Sequence, residues 1–169
     1  MIESLAILDY LEARYPDVSL LPTDAVDLAR VRMVQLVALN ELLPAVVKLL
    51  MDDKSASAPS SDLEYAQLRA INPLSFLEDL LGDRLYFAGE QLTLAEIVAG
   101  TLVDKLPNLG VALTNYPRLE AWSERLMSRP TWQQIQLSAD EWDNFKRRIR
   151  VMPRTWERRR RQRMNAIQS

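Results

Sequence analysis

The side chains that most often carry out chemistry in enzymes are missing from this sequence. Its 169 residues include no histidine and no cysteine. Histidine is the commonest general base and metal ligand, and cysteine supplies thiolate nucleophiles and thiolate metal sites. Ser–His–Asp and Cys–His catalysis are therefore excluded, and no EF-hand spacing of carboxylates suggests a calcium site. With only four glycines, a phosphate-binding loop is not expected either.

Thr93 and Glu96 form the clearest local motif. They have the S/T-x-x-E spacing of a capping box, in which the two side chains accept hydrogen bonds from the free N–H groups of a helix start. Leu92 and Ile97 flank the motif at the positions of a hydrophobic staple. The motif predicts a helix that starts at Thr93, and it assigns both residues a structural role.

Apolar residues recur at helical spacing through most of the chain. Pro44 is expected to kink the longest helix, which is apolar nearly all round from Val34 to Met51 and is therefore placed in the core. Pro73 is expected to bend the next helix, and Gly82 to cap its end. No segment makes a convincing strand, so the sequence predicts an all-α helical bundle. The predicted helices span residues 3–14, 25–53, 62–81, 93–106 and 118–127, with shorter or weaker helices from Pro130 and over 139–150.

The net charge of −2 conceals an acidic body and a basic tail. Residues 146–169 contain ten Lys or Arg and one acid, a net +9, whereas residues 1–145 contain eleven Lys or Arg and 22 acids, a net −11. A basic amphipathic tail predicts a nucleic acid or an anionic membrane surface as partner. Pro153 interrupts the pattern, and charge runs are often simply solvated. A tail folded onto the acidic body, or onto a second copy, is a further alternative.

Targeting signals are not evident in the sequence. No stretch of 18 uninterrupted apolar residues is present, so no transmembrane segment is expected. The N-terminus has neither a basic region nor a cleavable apolar core, as a secretory signal would. Together with the absence of cysteine, this predicts a cytoplasmic protein.

Four segments, in order along the chain, resemble glutathione S-transferases. The first two resemble the last helix of that family's thioredoxin-like domain and the linker with the first helix of its helical domain. The third matches the family segment F-x-G-x-x-x-T/S-x-A-D, with Glu96 in place of the Asp, and the fourth matches the YP-x-L-x-x-W run near the end of the helical domain. The segments are ESLAILDYLEARYP (3–16), LLPTDAVDLARVR (20–32), YFAGEQLTLAEIVAG (86–100) and NYPRLEAWSERLMSRPTW (115–132).

The resemblance implies a glutathione S-transferase C-terminal-like helical bundle. It divides the chain into a remnant thioredoxin-domain helix (1–16), the helical domain (17–145) and the basic tail (146–169). It also implies glutathione as co-substrate, with no metal and no other cofactor. In the family, the Tyr, Ser or Cys that activates the glutathione thiol lies early in the thioredoxin-like domain, which has no counterpart in this sequence. No catalytic residue is therefore assigned.

Glu3 and Ser4 are the only part of a glutathione site that the resemblance transfers. In the family, a Glu/Gln-Ser pair opens this helix and holds the γ-glutamyl carboxylate, and a helix N-terminus favours such an anion. The alternative is that Ser4 simply caps an exposed helix.

Four polar residues on the long helix form a second candidate set: Arg30, Arg32, Asn40 and Glu41. By resemblance, they border either the electrophile pocket or a dimer seam. The alternative is ordinary helix surface for the arginines and a helix–helix hydrogen bond for Asn40. Trp122 and Trp132 are expected to be core residues.

Two main hypotheses for function follow. In the first, the chain is part of a glutathione-dependent transferase and is inactive alone, because nothing in it lowers the pKa of the glutathione thiol. In the second, it is a non-catalytic interaction module, of the kind found as docking units in the translation machinery. A degenerate product without activity is a third reading.

The first helix predicts a protein partner under each reading. Its face of Leu5, Leu8 and Leu11 packs on the thioredoxin-like sheet in the family. Without that sheet, the face must repack on the helical core, be covered by a partner or stay exposed. We therefore expect a homodimer or a heteromeric complex through this helix.

Overall fold

A computed structural model describes residues 3–51 and 61–150, with only the backbone given for residues 61–63. Within these ranges the sole β feature is an isolated bridge between Tyr86 and Gly89, so the predicted all-α class is confirmed. Two short 3-10 turns lie at Pro16–Val18 and Pro107–Leu109. The α-helices are α1 (Ser4–Arg14), α2 (Ala25–Val37), α3 (Leu43–Met51), α4 (Ser61–Leu81), α5 (Leu94–Val103), α6 (Pro117–Met127), α7 (Pro130–Gln133) and α8 (139–150).

The long central helix is continuous but contains one widened turn. It begins at Asp24, whose carboxylate accepts hydrogen bonds from the N–H groups of Val26 and Asp27. Between α2 and α3, residues Ala38–Leu42 form a π-helical turn, in which the N–H of Leu43 donates to the carbonyl of Ala38. Pro44 follows directly and has no N–H to donate. The disturbance expected at Pro44 therefore takes the form of a π-turn placed immediately before it.

This continuous helix, Ala25–Met51, is also long and apolar enough to cross a membrane. The expectation of no such segment depended on counting uninterrupted apolar residues, and a criterion that tolerates a few polar residues admits the helix. Of its most apolar stretch, 44% is buried inside the bundle, and one helix of this kind can equally be part of a protein core. Its length and composition are therefore weak evidence for a membrane span.

The core lies between the central helix, α4, α5 and α6. α2 packs mainly on α5, and α3 packs on α4. Trp122 of α6 is fully buried, and its ring meets that of Phe87 edge to face, with the centroids 5.3 Å apart. Trp132 of α7 is also buried and packs against Gly100 of α5, where a Cβ atom would lie 2.8 Å from the indole ring.

Local signals set the ends of α4 and α5. α4 continues as one helix past Pro73 and ends at Gly82, which has a φ of +55° and donates its N–H to the carbonyl of Glu78. At the start of α5, the capping box of Thr93 and Glu96 is present. The Glu96 carboxylate is fully buried and accepts three hydrogen bonds. Two come from Thr93, from its N–H at 2.8 Å and from its hydroxyl at 2.7 Å, and the third comes from the Phe87 N–H at 2.8 Å. Glu96 thus joins the preceding loop to the helix start.

Candidate functional site

An apolar groove of about 350 Å³ lies between α1 and α5, with Leu39 of the π-turn also in its wall. Its α1 side carries Ser4, Ile7 and Leu8, and its α5 side carries Ile97, Val98, Thr101 and Leu102. On α5, residues 97 and 101, and 98 and 102, are four apart and so lie on one side of the helix. We call this feature the α1–α5 groove.

Helix α1 is only partly packed on the rest of the bundle. Leu5 and Leu8 lie half-buried against the core, so part of the predicted apolar face has repacked on the helical domain. Ile7, Tyr10 and Leu11 remain exposed by 39%, 52% and 42%. Of the three predicted contact residues, Leu11 therefore stays open to solvent, and Ile7, which lines the groove, is exposed as well.

Polar contacts hold α1 in place beside α5. The Glu12 carboxylate of α1 accepts a hydrogen bond from the Leu20 N–H at 3.0 Å and another from the Ser19 hydroxyl at 2.7 Å. The Leu20 carbonyl in turn accepts from the N–H of Leu94, the first residue of α5. Asp9 adds an ion pair with Arg32 of α2 at 3.0 Å. The spacing of the groove walls is therefore fixed by the backbone of the linker as well as by apolar contacts.

Glu3 and Ser4 lie together at the start of α1, and both are exposed. The N-cap residue is Glu3, whose side chain makes no capping hydrogen bond. Ser4 is the first helical residue, so the alternative of Ser4 as the N-cap is wrong. Its side chain lines the end of the α1–α5 groove, where its described neighbours are apolar apart from Thr101. Glutathione binding by Glu3 and Ser4 stays a prediction.

The second candidate set is dispersed over the surface. Arg30 pairs with Asp27 at 2.6 Å, and Arg32 contacts Asp9 and the Gln35 side chain. Glu41 forms an exposed ion pair with Arg69 of α4 at 3.4 Å, and Asn40 is exposed. None of the four is among the described residues that line the α1–α5 groove. A role in the electrophile pocket or in a dimer seam stays a prediction for all four residues, of which Asn40 and Glu41 are exposed.

The chemistry of the groove is that of an apolar binding surface. None of its described lining side chains is an acid or a base at neutral pH. The Thr101 hydroxyl donates to the Val98 carbonyl within its own helix. The groove can therefore bind an apolar surface, but these residues offer no group to take a proton from a thiol.

Sequence reasoning identified one wall of this groove and missed the other. Leu8, on its α1 side, belongs to the apolar face predicted from the helical spacing of Leu5, Leu8 and Leu11. The α5 wall was not predicted, because the sequence gives Ile97, Val98 and Leu102 only as apolar positions of the helix that starts at Thr93. Leu39 is the least predictable member, because its direction depends on the π-turn.

A comparison with known protein families shows which family this helical bundle belongs to. The model of the family "Glutathione S-transferase, C-terminal domain" matches residues 42–130, just over half of the 169 residues. The chain therefore belongs to the glutathione S-transferase family through its C-terminal helical domain.

Relatives of known sequence and structure agree with this assignment. A probable maleylacetoacetate isomerase of Caenorhabditis elegans is 30% identical over 135 residues, which are 77% of this chain and 62% of the relative. A glutathione S-transferase from Methylobacterium radiotolerans, solved with glutathione sulfonate, superposes with a TM-score of 0.65 at 28% identity, over 82% of this chain and 69% of that one.

A third comparison is with an isomerase of known structure. The maleylacetoacetate isomerase from Anaeromyxobacter dehalogenans, solved with dicarboxyethyl glutathione and citrate in its active site, has a TM-score of 0.67 at 27% identity. The match covers 79% of this chain and 61% of that enzyme. The chain thus spans about 60% of the length of each of these two isomerases.

Proposed function

We propose that this chain is the helical part of a glutathione-dependent transferase or isomerase, and that turnover requires a thioredoxin-like part docked on α1 and the α1–α5 groove. That part lies upstream in the same polypeptide or on another chain. Support comes from family membership and from the share of the relatives' length that the chain spans.

The α1–α5 groove is the observation that carries this proposal. Ile7 is exposed on its α1 side, and Ile97 and Leu102 are only half-buried on its α5 side, while Leu11 is a further exposed apolar residue of α1. Apolar side chains on both sides of a preformed groove favour a second apolar surface as its occupant. A docked part would cover these residues and would stand next to Ser4, at the start of α1.

The helical part would supply binding and shape rather than proton transfer. Glutathione reacts as its thiolate, so a catalytic site needs a group that stabilises that anion. The lining of the groove provides none, so the docked part must supply that group. We therefore expect the isolated chain to add little to the uncatalysed reaction of glutathione with an aryl halide.

A chimaera tests this proposal directly. The segment of the Caenorhabditis elegans isomerase that precedes its match to this chain is fused upstream of Glu3, and conjugation of glutathione to an aryl halide is compared with that of the chain alone. Turnover by the chimaera, with none above background for the chain alone, supports the proposal. Turnover by the chain alone contradicts it.

A matched pair of variants tests whether the catalytic part docks through the groove. Ile7→Asp in the chimaera places a charge at the edge of the groove and should abolish turnover, whereas Val18→Asp changes an exposed residue outside the groove lining and should not. Equal activity of both variants would mean that the catalytic part docks elsewhere.

Self-association through α1 is a second proposal, and members of this family are commonly dimeric. The observation that favours it is the exposed set of Ile7, Tyr10 and Leu11. Size-exclusion chromatography with light scattering should show an oligomer that Ile7→Asp with Leu11→Asp dissolves. If α1 also docks the catalytic part, the chimaera should not self-associate through this face. A monomer in all forms contradicts self-association but leaves the groove proposal standing.

A further inference from the structure

The end of the described chain has a second feature that the proposed function does not use. Helix α8 begins with its own capping box, in which the Glu141 carboxylate accepts from the Ser138 N–H at 2.9 Å and hydroxyl at 2.8 Å. Asp143 pairs with Lys146 at 2.6 Å. The acidic residues of α8 are thus confined to its first turns, and two of them are engaged within the helix.

Basic side chains lie at the C-terminal end of α8. Arg147 and Arg148 are exposed, and Arg147 contacts the Asn144 side chain at 2.6 Å. The sequence that follows is strongly basic, with a net charge of +9 over residues 146–169. The last turn of α8 therefore belongs to the most positive part of the sequence, residues 146–169.

Exposed apolar side chains lie next to these cations. A broad depression of about 810 Å³ is lined by Leu137, Glu141, Asn144, Phe145, Arg147 and Arg148. Leu137 and Phe145 are exposed by 41% and 38%, and Ile135, two residues before Leu137, by 62%. Phe145 is held by stacking on Trp142, with the ring centroids 5.6 Å apart. Aliphatic, aromatic and cationic groups thus share one surface.

From this juxtaposition we propose that the surface formed by Leu137, Phe145, Arg147 and Arg148, together with the exposed Ile135 two residues before Leu137, binds an anionic lipid membrane. The arginines lie in the attractive potential of acidic headgroups, and the apolar side chains enter the boundary between headgroups and acyl chains. The charge complementarity extends into the basic sequence beyond residue 150.

The apolar residues favour a membrane over a nucleic acid. A nucleic-acid surface would use the same arginines on phosphates, together with aromatic rings for base stacking. Here Leu137, which lines the depression beside Arg147 and Arg148, is aliphatic and cannot stack on bases, and Ile135, two residues before it, is aliphatic and still more exposed. Insertion at a lipid interface gives such side chains a function, whereas phosphate contact does not.

Vesicle co-sedimentation of the full chain tests this proposal. Partition is measured on phosphatidylcholine vesicles with and without phosphatidylserine. We expect binding only when phosphatidylserine is present, and weakening as salt is added. Because each arginine near such a surface contributes about a fivefold factor, Arg147→Gln with Arg148→Gln should lower the partition about 25-fold.

Matched variants separate this surface from general charge. Arg14→Gln with Arg69→Gln changes the net charge equally but lies on α1 and α4, and it should leave partition nearly unchanged. Ile135→Ser with Leu137→Ser should weaken partition roughly tenfold, whereas Val18→Ser with Val26→Ser, at other exposed positions, should not. Far-UV circular dichroism of each variant checks that the fold is kept.

Three outcomes would overturn the proposal. One is equal partition onto vesicles with and without phosphatidylserine. Another is an equal loss of partition in the Arg147 and Arg148 double variant and in the Arg14 and Arg69 double variant. The third is tighter binding to a single-stranded oligonucleotide than to phosphatidylserine vesicles, with no effect of the Ile135 and Leu137 changes, which would identify a nucleic-acid surface instead.

Discussion

The Glu78 carboxylate on α4 accepts a hydrogen bond from the backbone N–H of Leu119 on α6, at 2.8 Å. Its other oxygen accepts from the N–H of Arg118 at 3.0 Å. Tyr116, the N-cap residue of α6, makes no side-chain capping bond, so Glu78, which lies 41 positions before Leu119 in the sequence, supplies the cap. This one side chain both satisfies the helix start and joins two helices of the core.

Replacing Glu78 should therefore destabilise the fold. Glu78→Ala leaves two backbone N–H groups without their partner, at a cost of about 2 kcal/mol in the free energy of unfolding. Glu78→Gln keeps one acceptor oxygen and should lose less. Urea unfolding measures both, and Asp79→Ala, at the exposed neighbouring position, is the control. A loss as large for Asp79 as for Glu78 would contradict this account.

The α5 capping box gives a second stability prediction. Thr93→Ala should cost about 1 kcal/mol, as for other helix caps. Glu96→Ala should cost more, about 3 kcal/mol, because the N–H groups of Phe87 and Thr93 both lose their buried acceptor. Thermal unfolding compares the two with Glu90→Ala, an exposed carboxylate in the same loop. If Glu96→Ala were the milder change, the link to Phe87 would be unimportant.

Replacing Gly100 with a larger residue should destabilise the fold. An alanine Cβ would lie 2.8 Å from the Trp132 ring and 2.9 Å from the Leu126 side chain, so at least one must shift. Alanine favours a helix over glycine by about 1 kcal/mol, whereas overpacking a core costs about 1–3 kcal/mol. We expect a net loss of about 1 kcal/mol, measured by urea unfolding.

The Gly100 prediction can be checked against its proposed cause. In a Trp132→Phe background the ring is smaller, so Gly100→Ala should cost less than in the parent chain. An identical cost in both backgrounds would show that Trp132 is not the obstacle. Thr101→Ala, at the exposed next position of α5, should change stability little.

The start of α8 should depend on pH. The backbone and side-chain hydrogen bonds from Ser138 hold the pKa of Glu141 below its ordinary value. The hydrogen bond and charge of Lys146 do the same for the pKa of Asp143. Since both values are lowered in the folded state, their contribution to α8 is complete above the ordinary carboxyl pKa. It is lost as the pH falls through the lower folded values.

Carboxyl-carbon chemical shifts measured by NMR during an acid titration test this directly. Glu141 should titrate below an ordinary glutamate, and Ser138→Ala should return its midpoint toward the ordinary value. Asp143 should respond to Lys146→Ala and not to Ser138→Ala. A Glu141 midpoint at or above the ordinary value would mean that the capping box does not form in solution.

Local signals in the sequence were sufficient for part of this structure. The spacing of Thr93 and Glu96 marks the start of α5, and Gly82 marks the end of α4, because each acts within a single turn of chain. Ser138 and Glu141 have the same S/T-x-x-E spacing and mark the start of α8 in the same way, although the apolar pattern of 139–150 is weak.

The other features of the structure depend on contacts between residues that are far apart in the sequence. A single sequence gives little indication of such contacts. The spacing between Glu78 and Leu119 has no meaning until α4 and α6 are packed together. Pro44 locates a disturbance, but whether it becomes a kink or a π-turn depends on what surrounds the helix. The α1–α5 groove likewise combines residues some 90 positions apart, so only its α1 side could be predicted.

The two hydrogen bonds of Leu20 have a consequence for how the groove is filled. Its N–H is bonded to α1 and its carbonyl to α5, so both walls of the groove are tied to a single residue of the linker. An incoming surface meets walls that are already joined to each other, which lowers the cost of ordering them. Assembly with a separate polypeptide, as well as covalent attachment to one, is therefore physically reasonable for this domain.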